Sequence, residues 1–207
     1  MHRPTADEDA LRLHRRLNRT DAGYPADRSV KDLFERCAAA RPDAVAVVQG
    51  ERTLTYRELN RRANALAAVL LDAGLGPGDV AAVCVDRSPE LIVALLAVVK
   101  CGAGYLPVDG DWPDARLTVL FEQAGCRLLI TDRAPALRQR FPDRRTVPVG
   151  DVPDHDGADP LNHLGGAGHG HRVGLRHAVA RALVDHDPAD RQRIVRVVDC
   201  GDEVRRV

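Results

Sequence analysis

Val80-Ala81-Ala82-Val83-Cys84-Val85 is followed, after Asp86-Arg87, by Ser88-Pro89-Glu90-Leu91-Ile92-Val93-Ala94-Leu95-Leu96-Ala97-Val98-Val99-Lys100. The first run is apolar throughout, as expected of a parallel strand covered on both faces. In the second, Ser88 stands at a helix N-cap, Pro89 fits the first helical position and Glu90 suits the positive end of the helix. Leu91, Ile92, Leu95, Leu96 and Val99 recur at helical spacing and predict the buried stripe, which Gly102 closes. A strand that feeds a helix is half of a βαβ unit.

The same grammar extends in both directions. Upstream, Thr55-Tyr56-Arg57-Glu58 has the form of a capping box, in which each side chain satisfies a backbone N–H of the other residue. Leu54 and Leu59 flank it at the spacing of a hydrophobic staple. Leu59, Ala63, Leu66, Ala67, Leu70 and Leu71 make one apolar stripe, and Gly74 suits the left-handed residue that ends a helix. Before that, Val30, Leu33, Phe34 and Cys37 predict a helix over Ser29 to Arg41, and Ala44 to Val48 reads as a strand. Downstream come a short strand near Tyr105 to Val108 and a helix opened by Pro113. Leu117, Leu120, Phe121 and Ala124 line that helix before Gly125, and Arg127 to Thr131 is a further strand. Helices are therefore expected near 55–73, 89–101 and 113–124. The fold class is α/β, built of parallel βαβ units with right-handed crossovers.

The pattern breaks near residue 150. Six of the eight histidines (His155, His163, His169, His171, His177 and His186) lie beyond it, both lysines (Lys31 and Lys100) lie before it, and no serine or threonine follows Thr146. Asp154 to His171 reads as loop. Val173, Leu175, Val179 and Leu183 predict one poor helix, and Ile194 to Val198 one strand, neither with evident neighbours. The expected organisation is an N-terminal arm (1–16), a partial α/β domain (17–150) and a divergent, poorly ordered or out-of-frame tail (151–207).

At 207 residues the chain suffices for one sizeable core. Lys+Arg and Asp+Glu balance at 30 each, which removes the electrostatic case for nucleic-acid or anionic-membrane binding. No apolar run approaches the roughly 20 residues of a membrane helix, and Met1 to Arg16 lacks the apolar core of a signal peptide. A cytoplasmic protein is expected. The five cysteines (Cys37, Cys84, Cys101, Cys126 and Cys200) form no CxxC pair and are expected to be reduced and mostly buried.

Several residues invite a chemical reading. Gly74-Leu75-Gly76-Pro77-Gly78 resembles a phosphate-binding glycine run but sits after a helix and before a strand, the reverse of the required order; a helix cap and turn is expected. Lys100, as a catalytic amine, competes with a simpler role at the negative end of its helix. Glu58, as a general base, competes with the capping box. His169-Gly170-His171 with His177 and His186 could bind metal only on a rigid frame, which a glycine-rich segment does not supply. Asp109-Gly110-Asp111 and Asp154, Asp156 and Asp159 lack the twelve-residue calcium loop. No catalytic, cofactor-binding or metal-ligating residue is assigned.

Together the motifs resemble the N-terminal part of a nonribosomal peptide synthetase adenylation domain, in the adenylate-forming superfamily. Leu17-Asn18-Arg19-Thr20 with Tyr24-Pro25-Ala26-Asp27 is similar to the family's opening segment. Leu33-Phe34-Glu35 and Arg41-Pro42-Asp43-Ala44-Val45-Ala46-Val47 continue it. Leu54 to Leu59 resembles its first core motif and Lys100-Cys101-Gly102-Ala103-Gly104-Tyr105-Leu106-Pro107-Val108-Asp109 its second. Trp112-Pro113, Arg116-Leu117 and Ala124-Gly125-Cys126 follow in the usual order.

The resemblance covers residues 17 to 150. It implies an incomplete N-terminal subdomain of the adenylate-forming fold and a parent that activates an amino acid with ATP and Mg²⁺, then passes it to the phosphopantetheine arm of a carrier protein. The family's Ser/Thr/Gly-rich loop with its lysine, its amino-acid pocket and its lid lysine find no counterpart here. The chain is thus expected to be inactive alone and to need no cofactor. The alternative is a non-catalytic remnant or partner-binding module, with a partner covering the open sheet.

Overall fold

The computed structural model describes residues 6–18, 28–150 and 196–197. In chain order the elements are α1 (Ala6–Leu17), α2 (Val30–Ala40), β1 (Val45–Gln49), β2 (Arg52–Thr55), α3 (Tyr56–Asp72), β3 (Val80–Cys84), α4 (Pro89–Lys100), β4 (Gly104–Pro107), α5 (Asp114–Gln123), β5 (Leu128–Thr131), α6 (Ala134–Arg140), β6 (Arg145–Pro148) and β7 (Arg196–Val197). The three helices expected near 55–73, 89–101 and 113–124 are α3, α4 and α5.

Local chemistry sets the helix starts. Thr55 accepts a hydrogen bond from the Glu58 N–H (3.2 Å), and the Glu58 carboxylate accepts one from the Thr55 N–H (2.8 Å). An equivalent box opens α2: Ser29 Oγ accepts from Asp32 N–H and Asp32 Oδ2 from Ser29 N–H. These contacts hold both carboxyls below their ordinary values. The Thr55 N–H is the chief cause at Glu58, and the Ser29 hydroxyl at Asp32. Ser88 makes no side-chain cap hydrogen bond, so α4 starts on the fixed backbone of Pro89 and not on the expected serine cap.

β3, β4, β5 and β6 form a parallel sheet in the order β4-β3-β5-β6. Side chains alternate across it, as the two-residue period of a strand requires. Ala81, Val83, Leu128 and Ile130 enter one core with α3 and α4. Ala82, Cys84 and Leu129 enter a second core with Leu117, Phe121, Leu137 and Phe141 of the α5–α6 side. From β3 to β4 the chain steps one way along the sheet; from β4 to β5 it returns past β3. With crossovers of one hand, that reversal places α4 and α5 on opposite faces. Phe121 and Phe141 meet edge-to-face at 5.2 Å in the second core.

A second sheet, ordered β2-β1-β7, is antiparallel. The strand expected over residues 44–48 is β1, and β2 completes its hairpin. β7 is where residues 194–198 read as a strand, and it finds its neighbour in β1 through Val47 and Val48. Helix α1 crosses the boundary drawn at 16/17. α6 and β6 complete the α/β alternation. The helix expected over Val173 to Leu183 lies outside the described residues.

Two stripes are rotated from their expected positions. On α4 the most buried apolar residues are Val93, Ala94, Ala97 and Val98, while Leu91, Ile92, Leu95, Leu96 and Val99 are half-buried. Nearly every position of α4 is apolar, so periodicity offers no contrast, and the small residues face the closest packing. On α2, Val30 and Leu33 are exposed and Ala38 is buried. Cys84, Cys101 and Cys126 are free and buried, as expected. Cys37 is disulfide-bonded, which corrects the expectation of five reduced thiols; spacing along a chain does not report the spatial approach that a disulfide requires.

Candidate functional site

In an open α/β sheet, ligands bind beyond the carboxyl ends of the strands, where the strand order reverses. Here that point lies between β3 and β5. The segments leaving it are Val85 to Ser88 and Asp132-Arg133, and the neighbouring β4–α5 loop is Val108 to Pro113. A cleft of about 370 Å³ opens beside it, lined by Ser88, Glu90, Asp132, Ala134, Pro135, Pro148, Val149 and Gly150.

The charges around this edge are mutually engaged. Arg133 donates to Asp86 (2.7 Å) and to Asp111 (3.0 Å), joining the loops after β3, β4 and β5. The attraction of Asp86 is the main cause of the upward shift at Arg133. Asp132 accepts from the Asp86 N–H, and Asp109 from the Asp111 N–H. Arg140 donates to Asp114 and to the carbonyl oxygens of Gly110 and Trp112, so α6 grips the same loop. Burial alone would raise the Glu90 carboxyl, yet hydrogen bonds, chiefly from Arg52 at 2.5 Å, bring it below its ordinary value. The cleft is thus lined by two carboxylates and by no basic side chain. Among the described residues no group of three His, Cys, Asp or Glu side chains could hold a metal. Burial pushes the nearby Cys84 thiol up, which makes it a poor nucleophile.

The residues singled out in the sequence separate clearly. The Gly74–Gly78 run is a helix cap and turn: Gly74 and Gly78 both have φ 89, Leu75 N–H donates to Leu70 O, and Gly76 N–H to Asp79 Oδ2. Those N–H groups are turned inward on the fold and not toward a ligand. Glu58 is occupied in its capping box. Lys100 is not a solvated charge at a helix end. It is 1% exposed, pairs with Glu35 of α2, and lies 5.8 Å from the centre of the Phe34 ring. Asp109-Gly110-Asp111 forms a tight turn closed by the Asp111 N–H. His155, His163, His169, His171, His177, His186, Asp154, Asp156 and Asp159 lie outside the described residues. Of the edge residues, Glu90 carries in the sequence only the reading of an acid at a helix start, and Asp132, Arg133 and Arg140 carry none. The available signal was positional: each follows, or packs against, the carboxyl end of a strand.

Similar proteins place this geometry. The AMP-binding enzyme family matches residues 34–193, past the change in composition near residue 150. The chain is 47% identical over 126 residues to malpibaldin synthetase of Mortierella alpina, covering 61% of this chain and 2% of that protein. It is 42% identical over 115 residues to tyrocidine synthase 2 of Brevibacillus parabrevis, covering 56% of this chain and 3% of that protein. Surfactin synthase subunit 1 of Bacillus subtilis (strain 168) aligns over 158 residues at 37% identity, 76% of this chain and 4% of that protein. The chain therefore spans a few per cent of the length of these synthetases. Among solved structures it superposes on the Klebsiella oxytoca NpsA N-terminal subdomain with a TM-score of 0.55 and 32% identity, covering 64% of this chain and 35% of that one. The fused NpsA-ThdA adenylation–PCP di-domain of the same organism gives a TM-score of 0.56 at 32% identity, with 65% and 26% covered. With its parallel sheet, its capping box and its order of motifs, the chain belongs to the AMP-binding enzyme family, as an N-terminal part of a nonribosomal peptide synthetase adenylation domain.

Proposed function

We propose that this chain is the scaffold portion of an ATP-dependent amino-acid-adenylating enzyme and does not catalyse adenylation alone. The observation that carries this reading is the cleft at the β3/β5 reversal, which is lined by Glu90 and Asp132 and by no basic side chain, while Arg52 and Arg62 are engaged with Glu90 itself. Attack of a carboxylate on the α-phosphate of ATP builds charge that donors must stabilise. Arg133 and Arg140 are committed to Asp86, Asp111 and Asp114, and Lys100 to Glu35. No lysine follows Lys100 in the sequence.

The intact enzyme would use ATP, Mg²⁺, an amino acid and the phosphopantetheine of a carrier protein. The described carboxylates do not fit Mg²⁺: Asp86 and Asp111 are neutralised by Arg133, and Asp109 and Asp132 accept backbone N–H bonds. What this part of the chain supplies is a rigid edge, in which Arg133 and Arg140 hold three loops in place.

Residues 17–150 form the partial adenylation domain in this reading, and 151–207 a divergent tail. The family match to residue 193 argues that some family register persists there, while the loss of Lys, Ser and Thr argues that its phosphate chemistry does not. The outer strands β4 and β6 each have one neighbour among the described residues, so a partner or further chain that covers the sheet belongs to the same proposal. Amino-acid-dependent exchange of pyrophosphate into ATP should be absent for every common amino acid; robust exchange by the purified chain overturns the reading. An alternative reading frame that restores a Ser/Thr/Gly-rich loop followed by Pro-Lys-Gly after residue 150 would identify the tail as frameshifted.

A further inference from the structure

Helix α1 bears no relation to the edge described above. From Asp9 to Asn18 every residue is exposed, including Leu11 (56%), Leu13 (48%) and Leu17 (69%). Ala10, Leu13 and Leu17 fall on one line at spacings of three and four, the seam of a two-helix coiled coil. The charges are divided along the axis. Asp7-Glu8-Asp9 occupies the start, and Arg12, His14, Arg15 and Arg16 the remainder.

We infer that α1 pairs antiparallel with α1 of a second copy of this chain. Parallel pairing would set acid against acid at one end and base against base at the other. Antiparallel pairing sets each acidic end against a basic end and opposes the two helix dipoles. In that register Ala10 faces Leu13 of the second copy, one small and one large residue in the layer. Asp9 and Arg16 stand one heptad apart on the same flank of the seam. Asp9 of one copy therefore meets Arg16 of the other, twice per pair, because same-flank positions face each other in antiparallel coiled coils. A shallow groove of about 210 Å³ lined by Asp9, Arg12, Leu13 and Arg16 marks this flank, with the leucine set between opposite charges. So short a seam lies below the ~1,000 Å² of a stable interface, and the association is a weak, concentration-dependent one.

The test is sedimentation velocity of the full chain over a concentration series. Asp9→Arg alone and Arg16→Asp alone should each weaken association about tenfold, because two attractive pairs become repulsive. The double variant should restore it, and an equimolar mixture of the two single variants should associate like the unaltered chain. Leu13→Gln with Leu17→Gln should abolish it. Circular dichroism must show the same fold in all, which is expected since α1 is exposed along its described length. The inference is overturned if the chain stays monomeric at every concentration. It is equally overturned if the charge variants change nothing, if the mixture does no better than its components, or if association survives loss of both leucines.

Discussion

Lys100 offers the sharpest energetic test of this fold. Its ammonium is enclosed between α2 and α4, pairs with Glu35 and faces the Phe34 ring. Truncation of Glu35 to alanine leaves that charge without its counterion. For fully buried pairs such a break costs about 3–5 kcal/mol. The Glu35 side chain is 28% exposed, so water enters the space it vacates, and the cost falls to about 2 kcal/mol. With a urea dependence of about 2 kcal/mol per molar, the unfolding midpoint should drop by about 1 M. Lys100→Met removes the charge but keeps most of the packed stem, and leaves a carboxylate that solvent can reach. Its midpoint should fall by less than half as much. The double variant Glu35→Ala with Lys100→Met should recover most of the loss caused by Glu35→Ala alone. An unchanged midpoint in Glu35→Ala, or greater damage from Lys100→Met, would refute the view that desolvated charge dominates this contact.

Three other outcomes are expected. Thr55→Ala should destabilise the chain by about 1 kcal/mol in urea or thermal melts, because the Glu58 N–H loses its partner. Glu58 and Asp32 both titrate below their ordinary values in the fold. Their stabilisation is therefore complete above the unfolded-state value near pH 4 and is lost as pH falls through the lower folded values. A melt series from pH 6 to pH 2 should show this decline, and Thr55→Ala should flatten it. Gly110→Ala would bring a Cβ to 2.9 Å from Cys84 Sγ. It should cost about 1–3 kcal/mol by overpacking, and Cys84→Ala in the same chain should relieve part of that cost.

Local signals survived folding where the physics is local. The capping box at Thr55–Glu58 depends on residues three apart, and the glycine turn at Gly74–Gly78 on the backbone freedom of one or two positions, so both were legible in the chain. The edge cluster was not. Asp86, Asp111 and Arg133 come from three loops, and nothing in their spacing shows that one guanidinium joins them. The short pieces α6, β2 and β6 leave little trace in the sequence because runs of four to seven residues carry too little periodicity to stand out.

The α/β class, the order of the principal helices and strands, and the family they resemble can be read from residues close in the chain, because capping, turn chemistry and apolar alternation act within a few residues. Tertiary structure alone decided the sheet order β4-β3-β5-β6 and the pairing of β7 with β1. It also decided which face of α4 is buried and that Lys100 is a buried partner of Glu35. Each of these is a contact between residues distant in the chain. Its free energy depends on the volume and charge of what arrives opposite, and no local pattern carries that information.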